Sequence, residues 1–249
     1  MDYFGSPLKK KVLVAMSGGV DSSVAAVLLK KAGYSVTGVT MCLSIRQVGD
    51  RASCCGGDAI EDAKRVCGQL DVPHFVFDFA QLMEELVISK FTAEYLKGRT
   101  PNPCVDCNRS LKFGSLLEKA RGLGFDYLAT GHYARIEQVG DSWHLLRPAD
   151  KNKDQTYFLY PIKKDDLPQV LFPLGNLSKS DVRAQAKKAG LSVAQKVESQ
   201  DICFVTQGNY RQFFEERNLS VAAGNIVDQD GKVLGRHQGI IYYTIGQRS

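Results

Sequence analysis

Ala15-Met16-Ser17-Gly18-Gly19-Val20-Asp21-Ser22-Ser23 is the stretch that decides the fold. It closes an apolar run, Lys11-Val12-Leu13-Val14-Ala15-Met16, that reads as a buried parallel strand. It leads into Val24-Ala25-Ala26-Val27-Leu28-Leu29, which reads as the first turns of a helix. Two glycines between strand and helix permit a tight turn and close approach of the backbone to a ligand. The helix start then offers N–H groups and a positive dipole end to an anion. Ser17, Ser22 and Ser23 add hydroxyl donors. The stretch lacks the Gly-Lys-Ser/Thr of a Walker A loop and the G-x-G-x-x-G of a dinucleotide fingerprint.

Working outward, strands and helices alternate. Tyr34 to Met41 reads as a second strand and Val72 to Phe79 as a third. Asp58 to Leu70 has helical periodicity with Asp58 as N-cap, and residues 47–57 read as a polar loop. Leu82 to Leu96 and Leu111 to Leu123 read as helices, and Tyr127-Leu128-Ala129-Thr130 as a strand. Gly98 to Cys107 carries two prolines and reads as irregular. This rhythm predicts an α/β fold, a doubly wound parallel sheet whose site lies at the strand C-terminal ends. Ser17, Met41 and Gly131 fall at or beside such ends.

Beyond residue 140 the rhythm changes. Trp143 to Arg147 reads as a short strand and Lys151 to Thr156 as a polar loop. Ser178-Lys179-Ser180-Asp181 opens a helix to about Lys188, with Gly190 as its cap. Gly224 to Val233 and Ile240 to Thr244 read as short β pieces. The expected organisation is an α/β domain that carries the glycine-rich loop over residues 1–165 and a small α+β central domain over 166–249.

The 249 residues suffice for one sizeable core and a smaller second unit, and a net charge of +5 is compatible with a polyanionic partner without requiring one. No run approaches the roughly 20 apolar residues of a membrane span and none resembles a signal peptide, so a cytoplasmic location with no membrane partner is expected. Seven cysteines in a reducing compartment point to catalytic or metal-binding members rather than a disulfide framework. Cys104 and Cys107 have metal-ligand or redox spacing, without a second C-x-x-C. Cys42 and Cys67 read as core cysteines, Cys54 and Cys55 as loop residues of ambiguous role. On spacing alone, Cys203 reads equally well as a strand cysteine facing the core.

The Ser-Gly-Gly-Val-Asp-Ser-Ser loop resembles the PP-loop of the ATP pyrophosphatases, the adenine nucleotide α-hydrolase-like fold. Five further motifs extend the resemblance: Gly98-Arg99-Thr100-Pro101-Asn102-Pro103, Ala129 to Arg135 (ATGHYAR), Lys153 to Leu159 (KDQTYFL), Ser199 to Phe204 (SQDICF) and Tyr243 to Arg248 (YTIGQR). In this order they are similar to those of the tRNA-specific 2-thiouridylases, which place sulfur on carbon 2 of a wobble uridine. The resemblance implies that Ala15, Met16, Ser17, Gly18, Gly19, Val20, Asp21, Ser22, Met41 and Gly131 contact ATP, with Mg2+. It implies that Asn102, Pro103 and Cys104 lie against the target base, and that Lys153, Asp154 and Gln155 touch the tRNA at its anticodon loop. Read without it, those last three form a solvated polar turn. Cys107 matches the family's nucleophile and Cys203 its persulfide-bearing cysteine.

The implied chemistry is adenylation of the C2 oxygen of uridine, then its replacement by sulfur from a donor protein or sulfide. Many members carry aspartate where this chain has Cys104. That exchange makes Cys104, Cys107 and Cys203 resemble the three thiolates that hold a [4Fe–4S] cluster in related tRNA thiolases, so persulfide and cluster routes both stand, with a slight preference for the cluster. The family also continues into a C-terminal β-barrel beyond residue 249. An amide-forming or lysidine-type PP-loop ligase, and a catalytically silent tRNA- or metal-binding module, are the alternatives; neither gives Cys107 and Cys203 a sulfur-transfer role.

Overall fold

Val12, Leu13 and Val14 are wholly buried. A strand that is apolar on both faces belongs inside a helix-covered parallel sheet. The computed structural model describes residues 10–43, 45–48, 51–54, 57–197, 202–205, 210–219 and 221–247, with side chains of 45–48 and 51–54 excepted. Five strands, β1 (Lys11–Ala15), β2 (Ser35–Cys42), β3 (His74–Asp78), β4 (Tyr127–Ala129) and β5 (Val170–Leu171), form one sheet in the order β3-β2-β1-β4-β5. Every neighbouring pair is parallel, with Val12 opposite Val36 on one side and Tyr127 on the other. The chain walks outward from β1 to β3 and then reverses to β4. In such a sheet, ligands bind outside the strand C-termini where the order reverses, here between β1 and β4.

Helix α1 (Val20–Lys31) follows β1 and buries Val24, Ala25 and Val27 in the main core. The helix Lys179–Lys188 adds Val182 and Ala186 to the same cluster. Its start is a capping box: the Ser178 hydroxyl accepts from the Asp181 N–H, and the Asp181 carboxylate accepts from the Ser178 N–H at 2.9 Å. Gly190, at φ +64°, follows its end.

The chain divides into two compact units, and each is discontinuous. One comprises Met1–Gln81 with Asn108–Glu198; the other comprises Leu82–Cys107 with Ser199–Ser249. The expected division at 165/166 follows sequence order, whereas the compact units follow ring packing. Phe91 lies 5.2 Å from Phe204, 5.8 Å from Phe213 and 6.0 Å from Phe214, ring centre to ring centre. Tyr95 stacks on Tyr210 at 5.8 Å. These rings gather two segments more than a hundred residues apart.

Local differences from the sequence expectations have simple causes. Residues 47–57 include parts of an antiparallel pair, Ile45–Val48 with Arg51–Cys54, and the following helix starts at Gly57. Asp58 therefore sits in the first turn, where its charge suits the dipole, and not at the cap. The irregular stretch ends early, because Pro103 occupies the first position of the helix Pro103–Asp106. There its missing N–H costs nothing and its fixed φ is already helical. Glu84–Ile88 and Cys107–Leu116 adopt π-helical turns, which a 3.6-residue period does not announce. Ser89 donates to the Glu84 carbonyl at 2.8 Å and Ser115 to the Ser110 carbonyl at 3.1 Å, five residues back in each case. Ile240–Tyr242 is a 3-10 turn, and the C-terminal β pair is Gly224–Val227 with Val233–His237. Among the described residues no helix is long and apolar enough to cross a membrane.

Candidate active site

The loop after β1 is held by its own backbone and hydroxyls. The ladder between β1 and β2 continues into Met16, whose N–H donates to the Val39 carbonyl at 2.7 Å and whose carbonyl accepts from Thr40 at 3.0 Å. Gly18 takes φ +68°, the left-handed region in which glycine carries no steric cost, and a Cβ there would collide with the Ala59 backbone. Gly19 is the extended cap residue of α1, and no side chain caps the helix. The helix start is thereby left to an anion. Ser22 is 4% exposed; its hydroxyl accepts from the Ser17 N–H at 3.1 Å and donates to the Gly19 carbonyl at 3.3 Å. Ser23 donates to the same carbonyl at 2.7 Å. The Ser22 and Ser23 hydroxyls, expected as ligand donors, are thus turned inward to shape the loop.

Gly131, just beyond β4, abuts the same helix start: a Cβ there would meet the Ser22 nitrogen at 2.6 Å. Met41, near the end of β2, is half-buried. Ala15 to Ser22, Met41 and Gly131 therefore lie at the C-terminal edge of one sheet, as the sequence predicts.

Three side chains that the sequence does not single out complete this edge. Lys179 reaches both Asp21 carboxylate oxygens, at 2.7 and 2.8 Å. The Tyr133 hydroxyl donates to Asp21 Oδ1 at 2.9 Å. Lys196 donates to the Gly18 carbonyl at 3.1 Å and to Asp62 at 2.6 Å, and this contact holds the Asp62 carboxyl below its usual range. Lys179 has a signal in the sequence: a cation in the first turn of a helix opposes the dipole and needs another purpose. Tyr133 lies inside the ATGHYAR motif, two residues beyond Gly131.

The Lys153-Asp154-Gln155 turn is tied to the same region. Gln155 Oε1 accepts from the Tyr133 N–H at 2.8 Å, and the Gln155 N–H donates to the Tyr133 carbonyl at 3.1 Å. Asp154 accepts from the Thr156 N–H at 2.9 Å, at the entry to the helical turn Thr156–Leu159. Nearby, the His132 imidazole is pushed well below its usual range by desolvation, with the Lys112 charge adding to it. Its Nδ1 lies 2.7 Å from the Thr130 hydroxyl.

The second unit carries the cysteines of interest. Asn102 caps the helix Pro103–Asp106 by accepting from the Cys104 N–H at 3.1 Å. Cys104 is exposed, Cys107 is buried one turn later, and Cys203 is exposed in a turn; all three are thiols. Asp106, between the first two, is buried and paired with Lys90 at 2.7 Å. Cys203, which spacing alone allows as a core strand residue, is neither in a strand nor buried. Phe204 enters the ring cluster and positions its turn. Among the described residues, no three His, Cys, Asp or Glu side chains converge as a metal site.

Two other cysteines sort differently. Cys67 is buried, and desolvation pushes its thiol up to about 11, so it is inert. Cys42 is buried as expected for a core residue but is disulfide-bonded.

Comparison with known proteins bears on both units. A profile described as tRNA methyl transferase HUP domain matches residues 10–207, and one described as tRNA methyl transferase PRC-barrel domain matches residues 211–249. tRNA-specific 2-thiouridylase MnmA 1 of Syntrophus aciditrophicus is 58% identical over 97% of this chain and 65% of its own length. tRNA-specific 2-thiouridylase MnmA of Clostridium beijerinckii is 50% identical over 97% of this chain and 68% of its own. The chain thus spans about two thirds of these curated relatives. Among solved structures, a 4-thiouridine synthetase in an RNA complex with bound ATP superposes with a TM-score of 0.50 at 19% identity, over 84% of this chain and 50% of its own. That likeness supports the fold.

Proposed function

Because the chain belongs to the tRNA-specific 2-thiouridylase family, we propose that it adenylates the C2 oxygen of the wobble uridine of tRNA and replaces that oxygen with sulfur. The products are 2-thiouridine, AMP and pyrophosphate. The observation that carries the reading is an uncapped helix start at the reversal point of a parallel sheet, in a chain that also presents the Cys107 and Cys203 thiols.

The C2 carbonyl of uracil is a poor electrophile, and its oxygen is a poor leaving group. Attack of that oxygen on the α-phosphorus of ATP expels pyrophosphate and turns the oxygen into part of AMP. The loop amides at the start of α1 bind the departing phosphates in a site with donors already oriented. A hard cation such as Mg2+ takes carboxylate oxygens. Asp21 is the carboxylate beside the cradle and already holds a positive group, so the residues suit Mg2+, which would offset phosphate charge there.

For the sulfur step the reading favours the persulfide. Cys203, exposed, carries a terminal sulfur received from a donor protein's persulfide, whose own cysteine leaves as a thiolate. The Cys107 thiolate attacks the Cys203 Sγ, a Cys107–Cys203 disulfide forms, and hydrosulfide leaves with the electron pair of the broken S–S bond. Hydrosulfide adds at C2, AMP departs, and an external thiol reductant restores both cysteines. No step is routed through an iron–sulfur cluster. Asn102, Pro103 and Cys104 lie against the base in this reading, and the Lys153 turn meets the anticodon loop, with Lys153 supplying the cation for phosphate. This reading places the chain in the cytosol, where thiol reductants are available to restore Cys107 and Cys203.

The test is an anaerobic assay of the chain with tRNA, ATP and Mg2+, comparing a protein persulfide donor plus a thiol reductant with ammonia, and with iron and acid-labile sulfide measured in the same preparation. The expected result is tRNA-dependent pyrophosphate release and a nucleoside in which one oxygen is replaced by sulfur, in iron-free protein. Turnover with ammonia alone would overturn the thiolation reading. Thiolation that rises and falls with iron content would replace the persulfide by a cluster.

A further inference from the structure

We propose that Lys179 is a nucleotide-contacting residue, held on Asp21 and turned to the triphosphate when it binds. The proposal rests on the ATP-loop reading above and adds to it a cation that lies 158 residues from the loop in sequence.

Four observations carry it. Lys179 sits in the first turn of its helix, directly after the Ser178 cap, where the dipole disfavours a cation. Its side chain is only 14% exposed and its ammonium engages both oxygens of Asp21, so the charge is aimed at the loop and not at solvent. Its backbone is fixed as well: the Lys179 N–H donates to Asp150 at 3.0 Å, and the Val182 and Ala186 face of the same helix packs in the α1 core. Finally, Asp21 lies in the first turn of α1, where the phosphates are expected, and Tyr133 steadies its Oδ1 independently of the lysine.

An anion entering this helix start meets the Asp21 carboxylate as a like charge and Lys179 as its counter-charge. A lysine is a compact cation on a flexible stem with three donors. It can exchange a carboxylate oxygen for a phosphate oxygen without moving its helix. Tyr133 keeps a hydrogen bond to Asp21 while this happens. Lys196 acts differently, gripping the Gly18 carbonyl and Asp62 and so bracing the loop backbone.

The alternative is that Lys179 only neutralises Asp21. Equilibrium binding of ATP, without Mg2+, to the wild-type chain, Lys179→Met, Asp21→Asn and the double variant separates the two, with AMP as the comparison ligand. A contact to the β- or γ-phosphate predicts that Lys179→Met weakens ATP binding by about 10-fold or more, the usual size for a lost charge-assisted hydrogen bond, and AMP binding by less than about 3-fold. It also predicts that adding Lys179→Met to Asp21→Asn costs a further loss of about 10-fold. If the double variant binds ATP as Asp21→Asn does, Lys179 serves only the carboxylate and the proposal is overturned. Equal losses for ATP and AMP would overturn it too, since they signal a distorted loop. Lys179→Arg, which keeps the cation, retains most of the affinity and guards against a folding artefact. Absence of ATP binding by the wild-type chain would instead remove the loop reading itself.

Discussion

Around Ser17 to Ser23, position is held by backbone: a ladder extended to Met16, a left-handed Gly18, two serine hydroxyls turned onto the Gly19 carbonyl, and Gly131 pressed against the helix start. Around Cys104, Cys107 and Cys203, position is held by side chains: an asparagine cap, a buried aspartate paired with a half-exposed lysine, and a cluster of packed rings. The first arrangement suits an anion whose shape never varies, because donors fixed in space cost little to orient when it arrives. The second suits sulfur chemistry, in which thiols must approach, bond and separate within one turnover. Binding is built in advance here; transfer is left adjustable.

The largest effect tests that division directly. Cys107→Ser and Cys203→Ser should each reduce thiolation by about 10³-fold or more, while ATP affinity stays within about 3-fold of wild type. Substantial thiolation in either variant would remove that cysteine from its assigned role, and a parallel loss of ATP binding would erase the contrast between the two regions. Next in size is Phe214→Ala. Phe214 is fully buried at the centre of the rings, so its loss should cost about 3–5 kcal/mol in chemical unfolding. Hydrogen exchange should show that the loss falls on the helix Ser89–Leu96; protection loss centred on β1 instead would contradict the ring-cluster account.

Smaller effects probe the cradle. Gly131→Ala places a methyl against the Ser22 nitrogen and should cost about 1–3 kcal/mol, accompanied by weaker ATP binding. Unchanged ATP affinity would show that the β4 loop does not shape the cradle. The smallest effect is electrostatic. His132 is held neutral in the fold, well below the ordinary value of 6.5 that its unfolded form keeps. The unfolded chain therefore takes up a proton first as pH falls, and the stability contributed by the neutral ring is complete above that value and lost below it. Between about pH 7.5 and about pH 5.5 the unfolding free energy should drop, by at most about 1.4 kcal/mol per pH unit, and less steeply in His132→Gln. An identical slope in that variant would place the titration elsewhere.

Much of the fold and the cradle is legible in the chain because its signals are local. The Val12 to Val14 run, the Gly18-Gly19 turn and the Ser178 to Gly190 helix each carry their instructions within about a dozen residues, and the structure follows them. The parallel sheet follows from repeated alternation. Lys179 and Tyr133 are not legible as partners of Asp21, since no short-range pattern links positions 158 and 112 residues away. Pro103 reads as a breaker in isolation and becomes a helix start only after Asn102 supplies the cap. The discontinuous units are hidden for the same reason, because Phe91 and Phe214 are ordinary apolar residues until they meet.

Lys196 on the Gly18 carbonyl has a consequence for ligand arrival. In a trans peptide the carbonyl and the following N–H point in opposite directions. Pinning the Gly18 oxygen to one side therefore aims the Gly19 N–H to the other, and rotation of that amide plane would break the lysine contact. The ammonium acts as a detent on a single peptide unit. A ligand entering from the N–H side meets a donor already facing it, with no flip to wait for.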